Sequence, residues 1–281
     1  MGRRHAIKAI AYLSVDLFTR YLPMKFARAV FWRGATTLTL CILSFSAHAI
    51  TLCHDDGEQY PWIIKNGNGL NIRLLEMVAA GTGETLELTG MPWKRCLEGV
   101  EKGDIAGAFA ASYTDERAKY AVYPMAEGKL DRTRRLHTDG YTLLRLKGSS
   151  VGWDGNTFSN LTGPIGTQAA YSIASDLVRW GVSVDSNSDT PETLLRRFGA
   201  GQLQAIALLT GEAQFAMRKP YLADRVEIVS PPLTEKPYFL IFGRGYYDKN
   251  RKTVDDLWSM IEKIRESAEY KAMQPGEQSS R

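Results

Sequence analysis

The stretch from Met91 to Pro124 constrains the fold most, because it predicts a helix, a buried strand and a second helix in direct succession. Pro92 suits the first turn of a helix, and Gly103 can adopt the left-handed conformation that ends one. Residues 105–111 are small and apolar throughout, as in a strand that is covered on both faces. Such a unit indicates an α/β fold with a largely parallel sheet.

One arginine follows this buried strand at a position that suits an anion. Thr114 offers a hydroxyl that can cap a helix, and Arg117 then falls in the first helical turn. Ligands of open α/β sheets bind beyond the carboxyl ends of the strands, where the free N–H groups of a helix start attract negative charge. A guanidinium also matches the geometry of a carboxylate. We therefore expect Arg117 to bind the carboxylate of a small molecule; the alternative is a solvated surface arginine.

The first 49 residues have the composition of an export signal. A basic segment, 25–33, precedes an apolar segment, 35–45, that is too short to span a bilayer comfortably. Residues 47–49, Ala-His-Ala, are typical of a signal-peptide cleavage site, so we expect a periplasmic mature protein that begins at residue 50. Because Met24 directly precedes this signal, a further hypothesis is that residues 1–23 come from an upstream start codon.

Removal of this leader changes the sign of the net charge. The whole chain has 35 Lys and Arg against 31 Asp and Glu, a formal charge of +4. The first 49 residues hold seven of the basic residues and one of the acidic ones, so residues 50–281 carry 28 against 30. The mature chain is therefore slightly acidic, and we expect no nucleic-acid partner.

The two cysteines beyond the leader are Cys53 and Cys96. An oxidising compartment favours a disulfide bond between them, which would join the first strand to the helix that begins at Pro92. The alternative is two separate buried thiols. His54 and His137 have no Cys or His companion at the spacing of metal ligands, so we predict no metal site and no cofactor.

Several short motifs follow one another in a specific order, although none is strong alone. They are Tyr60-Pro61-Trp62, Pro92-Trp93 with Leu97, Ala110-Ala111-Ser112, Thr114-Asp115-Glu116-Arg117-Ala118, Gly166-Thr167-Gln168, and Ile264-Arg265-Glu266-Ser267 with Tyr270. Through these motifs the chain resembles the family 3 extracellular solute-binding proteins, the periplasmic receptors of polar amino acid ABC importers. The resemblance covers nearly all of residues 50–273.

The resemblance implies a periplasmic-binding-protein-like architecture of two α/β lobes with mainly parallel sheets. Lobe one would comprise residues 50–140 and 238–281, and lobe two would comprise residues 141–237. Two hinge segments, 141–146 and 233–238, would join the lobes, which close over a ligand.

The resemblance also implies a ligand site. The family's carboxylate-clamping arginine matches Arg117, and a serine that assists it matches Ser112. Thr167 and Gln168 match the lobe-two loop that completes the carboxylate pocket. The aromatic candidates can also be ordinary core residues. The expected ligand-binding residues are Arg117, Ser112, Trp62, Tyr60, Trp93, Phe109, Ala110, Thr167 and Gln168.

The chain departs from the family at the site for the ammonium group of the ligand. Many members carry an Asp at the end of a lobe-two strand, but residues 204–210 contain none, and a usual lobe-one aspartate is replaced by Ala106. A less polar carboxylate ligand is therefore one alternative. If the ligand is cationic, the candidates are Asp55, Asp56, Glu58 and Glu212, or Trp62 and Trp93 through cation–π contacts.

Three functions fit these observations. The first is a monomeric receptor that delivers a small carboxylate ligand to an ABC permease in the inner membrane. The second is a dehydratase-like enzyme on the same scaffold, with Glu58, Asp56 or Glu212 as acid or base. The third is a sensor for a membrane signalling partner. The sequence shows no Ser/His/Asp or Cys/His arrangement and no phosphate loop, so we expect a receptor rather than an enzyme.

Overall fold

The computed structural model describes residues 49–64 and 69–274, in which strands and helices alternate. The predicted export signal lies outside the described residues, apart from Ala49, and stays a prediction. Within these described ranges, no helix has the length and apolar character that crossing a membrane requires.

The described chain contains the following elements. The strands are β1 (Ile50–Asp55), β2 (Leu86–Met91), β3 (Gly107–Ser112), β4 (Ala121–Val122), β5 (Met125–Ala126), β6 (Lys129–Leu130), β7 (His137–Leu146), β8 (Gly152–Trp153), β9 (Phe158–Ser159), β10 (Ile165–Gln168), β11 (Val184–Ser188), β12 (Ala205–Leu209) and β13 (Val226–Gly243). The helices are α1 (Leu70–Thr82), α2 (Trp93–Lys102), α3 (Asp115–Tyr120), α4 (Ser172–Arg179), α5 (Pro191–Gly199), α6 (Thr210–Ala216), α7 (Arg244–Lys249), α8 (Arg251–Arg265) and α9 (Ala268–Lys271), with a 3-10 turn at Arg132–Arg134.

The predicted helix, strand and helix between Met91 and Pro124 are confirmed. Helix α2 ends at Gly103, whose φ of 81° is left-handed. Strand β3 is almost entirely buried, and α3 begins after Thr114, whose hydroxyl accepts a hydrogen bond from the backbone N–H of Arg117 at 3.2 Å. Local sequence signals therefore place Arg117 in the first turn of a helix, directly after a buried strand.

The sheet contains two parallel groups of strands with two long antiparallel strands between them. Its order is β11-β10-β12-β7-β13-β3-β1-β2, and β4 pairs with β13. Strands β2, β1 and β3 run parallel to each other, as do β11, β10 and β12. The α/β class is confirmed, but the centre of the sheet is antiparallel, because β7 and β13 pair antiparallel with each other and with their outer neighbours. The predicted hinge segments lie within β7 and β13; their role as hinges stays a prediction.

Helices pack on the sheet and form separate apolar clusters with it. Helices α1 and α8 pack over the β1–β3 end, where Leu74 and Trp258 are buried and the Trp258 indole donates to the carbonyl of Leu240 at 2.8 Å. Helices α5 and α6 pack over the β12 end through residues such as Phe198. Burial of each such side chain contributes about 2 kcal/mol to the stability of the fold. The clusters keep the strand ends in fixed positions.

The predicted disulfide bond between Cys53 and Cys96 is confirmed. It joins β1 to α2, with the Cα atoms 5.6 Å apart, and both residues are fully buried. Because α2 begins at Trp93, the bond also holds that residue close to the end of β1. Two separate buried thiols are therefore excluded in this structure.

Candidate functional site

The candidate site lies where the parallel strands of both groups end. Asp55 ends β1 and Ser112 ends β3, whereas Gln168 ends β10 and Leu209 ends β12. Carboxyl ends of parallel strands are the usual position of ligand sites in α/β sheets. We name the side formed by β1, β3, α2 and α3 the first side of the cleft, and the side formed by β10, β12, α4 and α6 the second side.

Arg117 lies across this cleft and is only 4% exposed. Its Nη1 donates to the carbonyl oxygen of Ser112 at 2.6 Å, and its Nη2 donates to the carbonyl oxygen of Ala170, on the second side, at 2.6 Å. The guanidinium carbon lies 5.4 Å from the ring centre of Trp93, a cation–π distance. Among the described residues, no carboxylate forms an ion pair with Arg117. The site thus contains a buried cation with neutral partners only.

Strained backbone flanks this arginine on both sides of the cleft. On the first side, β3 has a register shift against β13, so that Phe109 and Ala110 lie opposite Leu240 alone, and Ala110 has a φ of 59°. On the second side, Ala170 has a φ of 62°. A left-handed alanine costs on the order of 1 kcal/mol, and bulges of this kind often redirect side chains next to functional sites.

A small cavity lies beside the guanidinium. The space open to the centre of a water molecule is about 10 Å³, which is enough for about one water. Five of the predicted ligand-binding residues line this cavity: Trp93, Phe109, Ala110, Ser112 and Arg117. The cleft is therefore closed, and any amino acid would need more room than this conformation provides.

Two carboxyl groups meet in the same cleft from opposite sides. Asp55 comes from the end of β1, and Glu212 comes from the first turn of α6. The hydroxyl of Tyr171 lies between them, 3.0 Å from Asp55 Oδ2 and 3.4 Å from Glu212 Oε1. Gln59 Nε2 donates to this hydroxyl at 2.9 Å. All four side chains are buried, so the cleft contains an acidic cluster as well as a cation.

Burial changes the acidity of both carboxyl groups. Desolvation raises the pKa of Asp55 to about 6, although hydrogen bonds from the Gly57 N–H and Tyr171 oppose the shift. Desolvation, followed by the negative charge of Asp55, raises the pKa of Glu212 well above its usual value. Both effects have the same cause, because a buried carboxylate loses hydration that neutral neighbours do not replace.

Further contacts join the two sides directly. The Ser112 hydroxyl donates to the Ser172 hydroxyl at 2.7 Å. At the rim, Gly211 of α6 approaches the backbone carbonyl of Tyr60 so closely that a Cβ built on Gly211 would lie 2.0 Å from that oxygen. Only a glycine fits at this position in the closed cleft.

Four predicted ligand-binding residues do not line the cavity. Tyr60 is 54% exposed at the rim, and Trp62 stacks on the buried ring of His137 with ring centres 4.1 Å apart. The hydroxyl of Thr167 forms a hydrogen bond with the hydroxyl of Ser186 on β11, at 2.8 Å. Gln168 is buried, and neither amide atom has a hydrogen-bond partner among the described residues. Their roles in ligand binding stay predictions.

The sequence interpretation missed several residues that the fold brings to the cavity. Tyr171 has no predicted role in ligand binding, yet its hydroxyl joins the acidic cluster. Glu212 and Asp55 were candidates for a cationic group, but nothing local in the sequence showed that they meet. The other lining residues without a predicted role are Gln59, Tyr141, Leu209 and Tyr238.

Comparisons with known proteins agree with this geometry at the level of the fold. The sequence matches no family model and no curated protein. Among solved structures, the GluR0 ligand-binding core from Nostoc punctiforme in complex with L-glutamate aligns with a TM-score of 0.60 and 17% identity, over 79% of this chain and 96% of that one. An ancestral arginine-binding protein bound to glutamine aligns with a TM-score of 0.62 and 16% identity, over 80% and 95%.

A histidine kinase sensor domain described as similar to periplasmic binding proteins aligns with a TM-score of 0.65 and 16% identity, over 80% of this chain and 93% of that one. The chain has the periplasmic-binding-protein fold. The predicted periplasmic-binding-protein-like fold is therefore confirmed, whereas the predicted lobe boundaries stay predictions. Periplasmic binding proteins close around their ligands by hinge and shear motions.

Proposed function

We propose that this chain is a receptor that traps a small carboxylate-bearing ligand, an amino acid or a related organic acid, in its cleft. One observation carries the proposal: Arg117 is buried beside a cavity, and its partners are backbone carbonyls rather than a carboxylate. A buried charge without a counter-ion is costly, so an anionic ligand gains more from this position than it would at the surface.

The ligand must enter an open form of the cleft. The closed cleft has room for about one water, so the two sides separate, admit the ligand and close again around it. We assign residues 50–140 and 238–281 to one lobe and 141–237 to the other, with hinges in the long strands β7 and β13. The buried amide of Gln168 has no hydrogen-bond partner in the described part of the chain, which supports the predicted second contact with the ligand carboxylate.

In this proposal the mature receptor acts as a periplasmic monomer and delivers its ligand to an ABC permease. A sensor role is the second candidate, because a histidine kinase sensor domain is among the similar structures. Neighbouring genes for a permease and an ATPase would favour import, whereas a neighbouring sensor kinase would favour signalling.

A thermal-shift screen tests the proposal. L-glutamate, L-glutamine, L-arginine and simple carboxylates are added to the purified mature chain at neutral pH, and an accepted ligand should raise the Tm. Ligand at one hundred times its Kd stabilises by about 2.7 kcal/mol. Product analysis of the same mixtures would detect turnover and so expose the dehydratase-like alternative.

Arg117→Met should abolish the stabilisation by ligand. Loss of two charge-assisted hydrogen bonds costs about 3 kcal/mol, which weakens affinity about 100-fold. Arg244→Met is the matched control, because Arg244 also donates to a backbone carbonyl, at 2.8 Å, but is exposed and lies on α7. A large drop in the unliganded Tm of Arg117→Met, with ligand response intact, would show that Arg117 is structural and contradict the proposal.

A further inference from the structure

The acidic cluster of the cleft consists of Asp55, Glu212, Tyr171 and Gln59. When both carboxyl groups are ionised, it has fewer hydrogens than its contacts need. The Tyr171 hydroxyl accepts from Gln59 Nε2 at 2.9 Å and faces a carboxyl oxygen of Asp55 at 3.0 Å and of Glu212 at 3.4 Å. A phenol has one hydrogen and can donate it to only one of these two oxygens. If both carboxyls are ionised, the other contact is a buried oxygen–oxygen contact without a proton.

The remaining hydrogen bonds of the two carboxyls do not relieve this shortage. Asp55 Oδ1 accepts from the Gly57 N–H at 2.7 Å, and Glu212 Oε2 accepts from the Leu209 N–H at 3.3 Å. Both of these donors are neutral backbone groups, so the pair would carry two negative charges in a buried space. One proton on either carboxyl supplies the missing hydrogen and removes one of the charges.

No cation among the described residues neutralises the pair. The charged and titratable groups that face the pair are Asp56 beside Asp55, Asp139 and Tyr141 on β7, Tyr171 directly before α4, and Arg117 on α3, on the same cavity. Asp56 and Asp139 add negative charge, and Arg117 is engaged by carbonyls of Ser112 and Ala170. His54 is held neutral by burial, which lowers its pKa. The environment therefore favours proton retention.

We propose that the closed, empty cleft holds one shared proton on the Asp55–Glu212 pair, and that a cationic group of the ligand replaces this proton. The inference rests on the proposed receptor function and narrows its ligand class to molecules that combine a carboxylate for Arg117 with an ammonium or guanidinium group for the acidic pair. Binding of such a ligand releases about one proton.

The first experiment needs no ligand. Thermal unfolding of the mature chain is measured between pH 6.5 and pH 8.5, above the range in which His137 gains a proton. Because the folded-state pKa of Glu212 is raised, its protonation stabilises the fold at lower pH, and this stability is lost as pH rises. The wild-type Tm should fall across this range, and Glu212→Gln, which is neutral throughout, should remove most of the fall.

Glu98→Gln is the matched control, since it makes the same Glu-to-Gln change at an exposed position on α2, away from the pair, and should keep the wild-type slope. Asp55→Asn provides a second variant should Glu212→Gln fail to fold, and it should also flatten the profile. If Tm changes with pH by the same slope in the wild type, Glu212→Gln and Asp55→Asn, the proposal of a shared proton is overturned.

The second experiment uses calorimetry with L-glutamate, L-glutamine and L-arginine at pH 7, in phosphate and in Tris buffer. The difference in heat between the buffers should correspond to release of about one proton per bound amino acid. Pentanedioate, which is L-glutamate without its ammonium group, should bind at least about tenfold more weakly than L-glutamate.

The outcomes separate the two proposals. Amino acids that bind through Arg117 without proton release, or pentanedioate that binds as tightly as L-glutamate, would overturn this inference and leave the receptor function in place. If none of the amino acids or carboxylates binds, the receptor function fails for these ligands, and the pH profile of the free protein still decides whether the pair holds a proton.

Discussion

Closure of the cleft depends on the absence of a side chain at Gly211. This residue is the second residue of α6, and a Cβ built on it would lie 2.0 Å from the carbonyl oxygen of Tyr60 on the opposite side. Real Cβ atoms essentially never come within 3.0 Å of such an atom. Gly211→Ala should therefore separate the two sides by at least about 1 Å at the rim.

The hydrogen bonds across the cleft set the magnitude of the effect. Arg117 Nη2 reaches the Ala170 carbonyl at 2.6 Å, and the Ser112 hydroxyl reaches the Ser172 hydroxyl at 2.7 Å. An opening of about 1 Å would take both pairs beyond hydrogen-bond distance. Their loss costs about 3 kcal/mol, counting about 2 for the charged donor and about 1 for the hydroxyl pair. The closed form should become about 100-fold less populated relative to the open form.

Hydrogen exchange measured by mass spectrometry checks this expectation without a ligand. Amides protected by cleft closure, in segments 57–63 and 209–217, should exchange up to about 100-fold faster in Gly211→Ala than in the wild type. Gly245→Ala is the control, because Gly245 is also the second residue of a short helix, α7, and a Cβ there meets nothing within 4 Å. Both variants gain helix propensity of up to about 1 kcal/mol. If the cleft segments of Gly211→Ala exchange at the wild-type rate, the reasoning is refuted.

Two further predictions concern stability. Replacement of both Cys53 and Cys96 by Ser removes a bond between residues 43 positions apart and should lower the free energy of unfolding by roughly 4 kcal/mol. Urea denaturation of the variant and of the oxidised wild type measures this loss. A loss below about 1 kcal/mol would contradict the entropic estimate. Burial lowers the pKa of His137 to about 3, so its contribution to stability is lost as pH decreases below 6.5 and opposes the gain from Glu212. Relative to the wild type, His137→Gln should therefore gain about 1 kcal/mol of unfolding free energy between pH 6.5 and pH 5.5, and a difference that does not change with pH would show that His137 has no such effect.

The elements around Arg117 could be predicted because their signals are local. Thr114 caps the helix through its own hydroxyl, Gly103 ends the preceding helix with a left-handed backbone, and the strand between them is apolar at every position before Ser112. Each signal acts within one or two turns of chain. The position of Arg117 beyond a strand end followed from them, and the structure places it in the cleft.

The acidic cluster could not be predicted in the same way, because its members are far apart in the sequence. Asp55 and Tyr171 are separated by 116 positions, and their contact exists only because β1 and β10 end at the same cleft. Because the end of β12 has no aspartate, the sequence leaves a less polar carboxylate as an alternative to an amino acid ligand. Glu212, three residues beyond Leu209, turns back and supplies a carboxylate at that strand end through the Leu209 N–H. The residues of a strand alone do not predict a side chain that reaches the end of that strand from the following helix.

The contacts that close the empty cleft are of a kind that a charged ligand can replace. The guanidinium of Arg117 binds the neutral carbonyl of Ala170, and the carboxyls of Asp55 and Glu212 share the neutral hydroxyl of Tyr171. A ligand group of opposite charge would add Coulombic attraction to these hydrogen bonds, and this attraction is stronger in a buried cleft than in water. In the proposed function, a ligand with a carboxylate and a cationic group would therefore stabilise the closed form more than the protein's own groups do, and this difference would shift the population towards closure on binding.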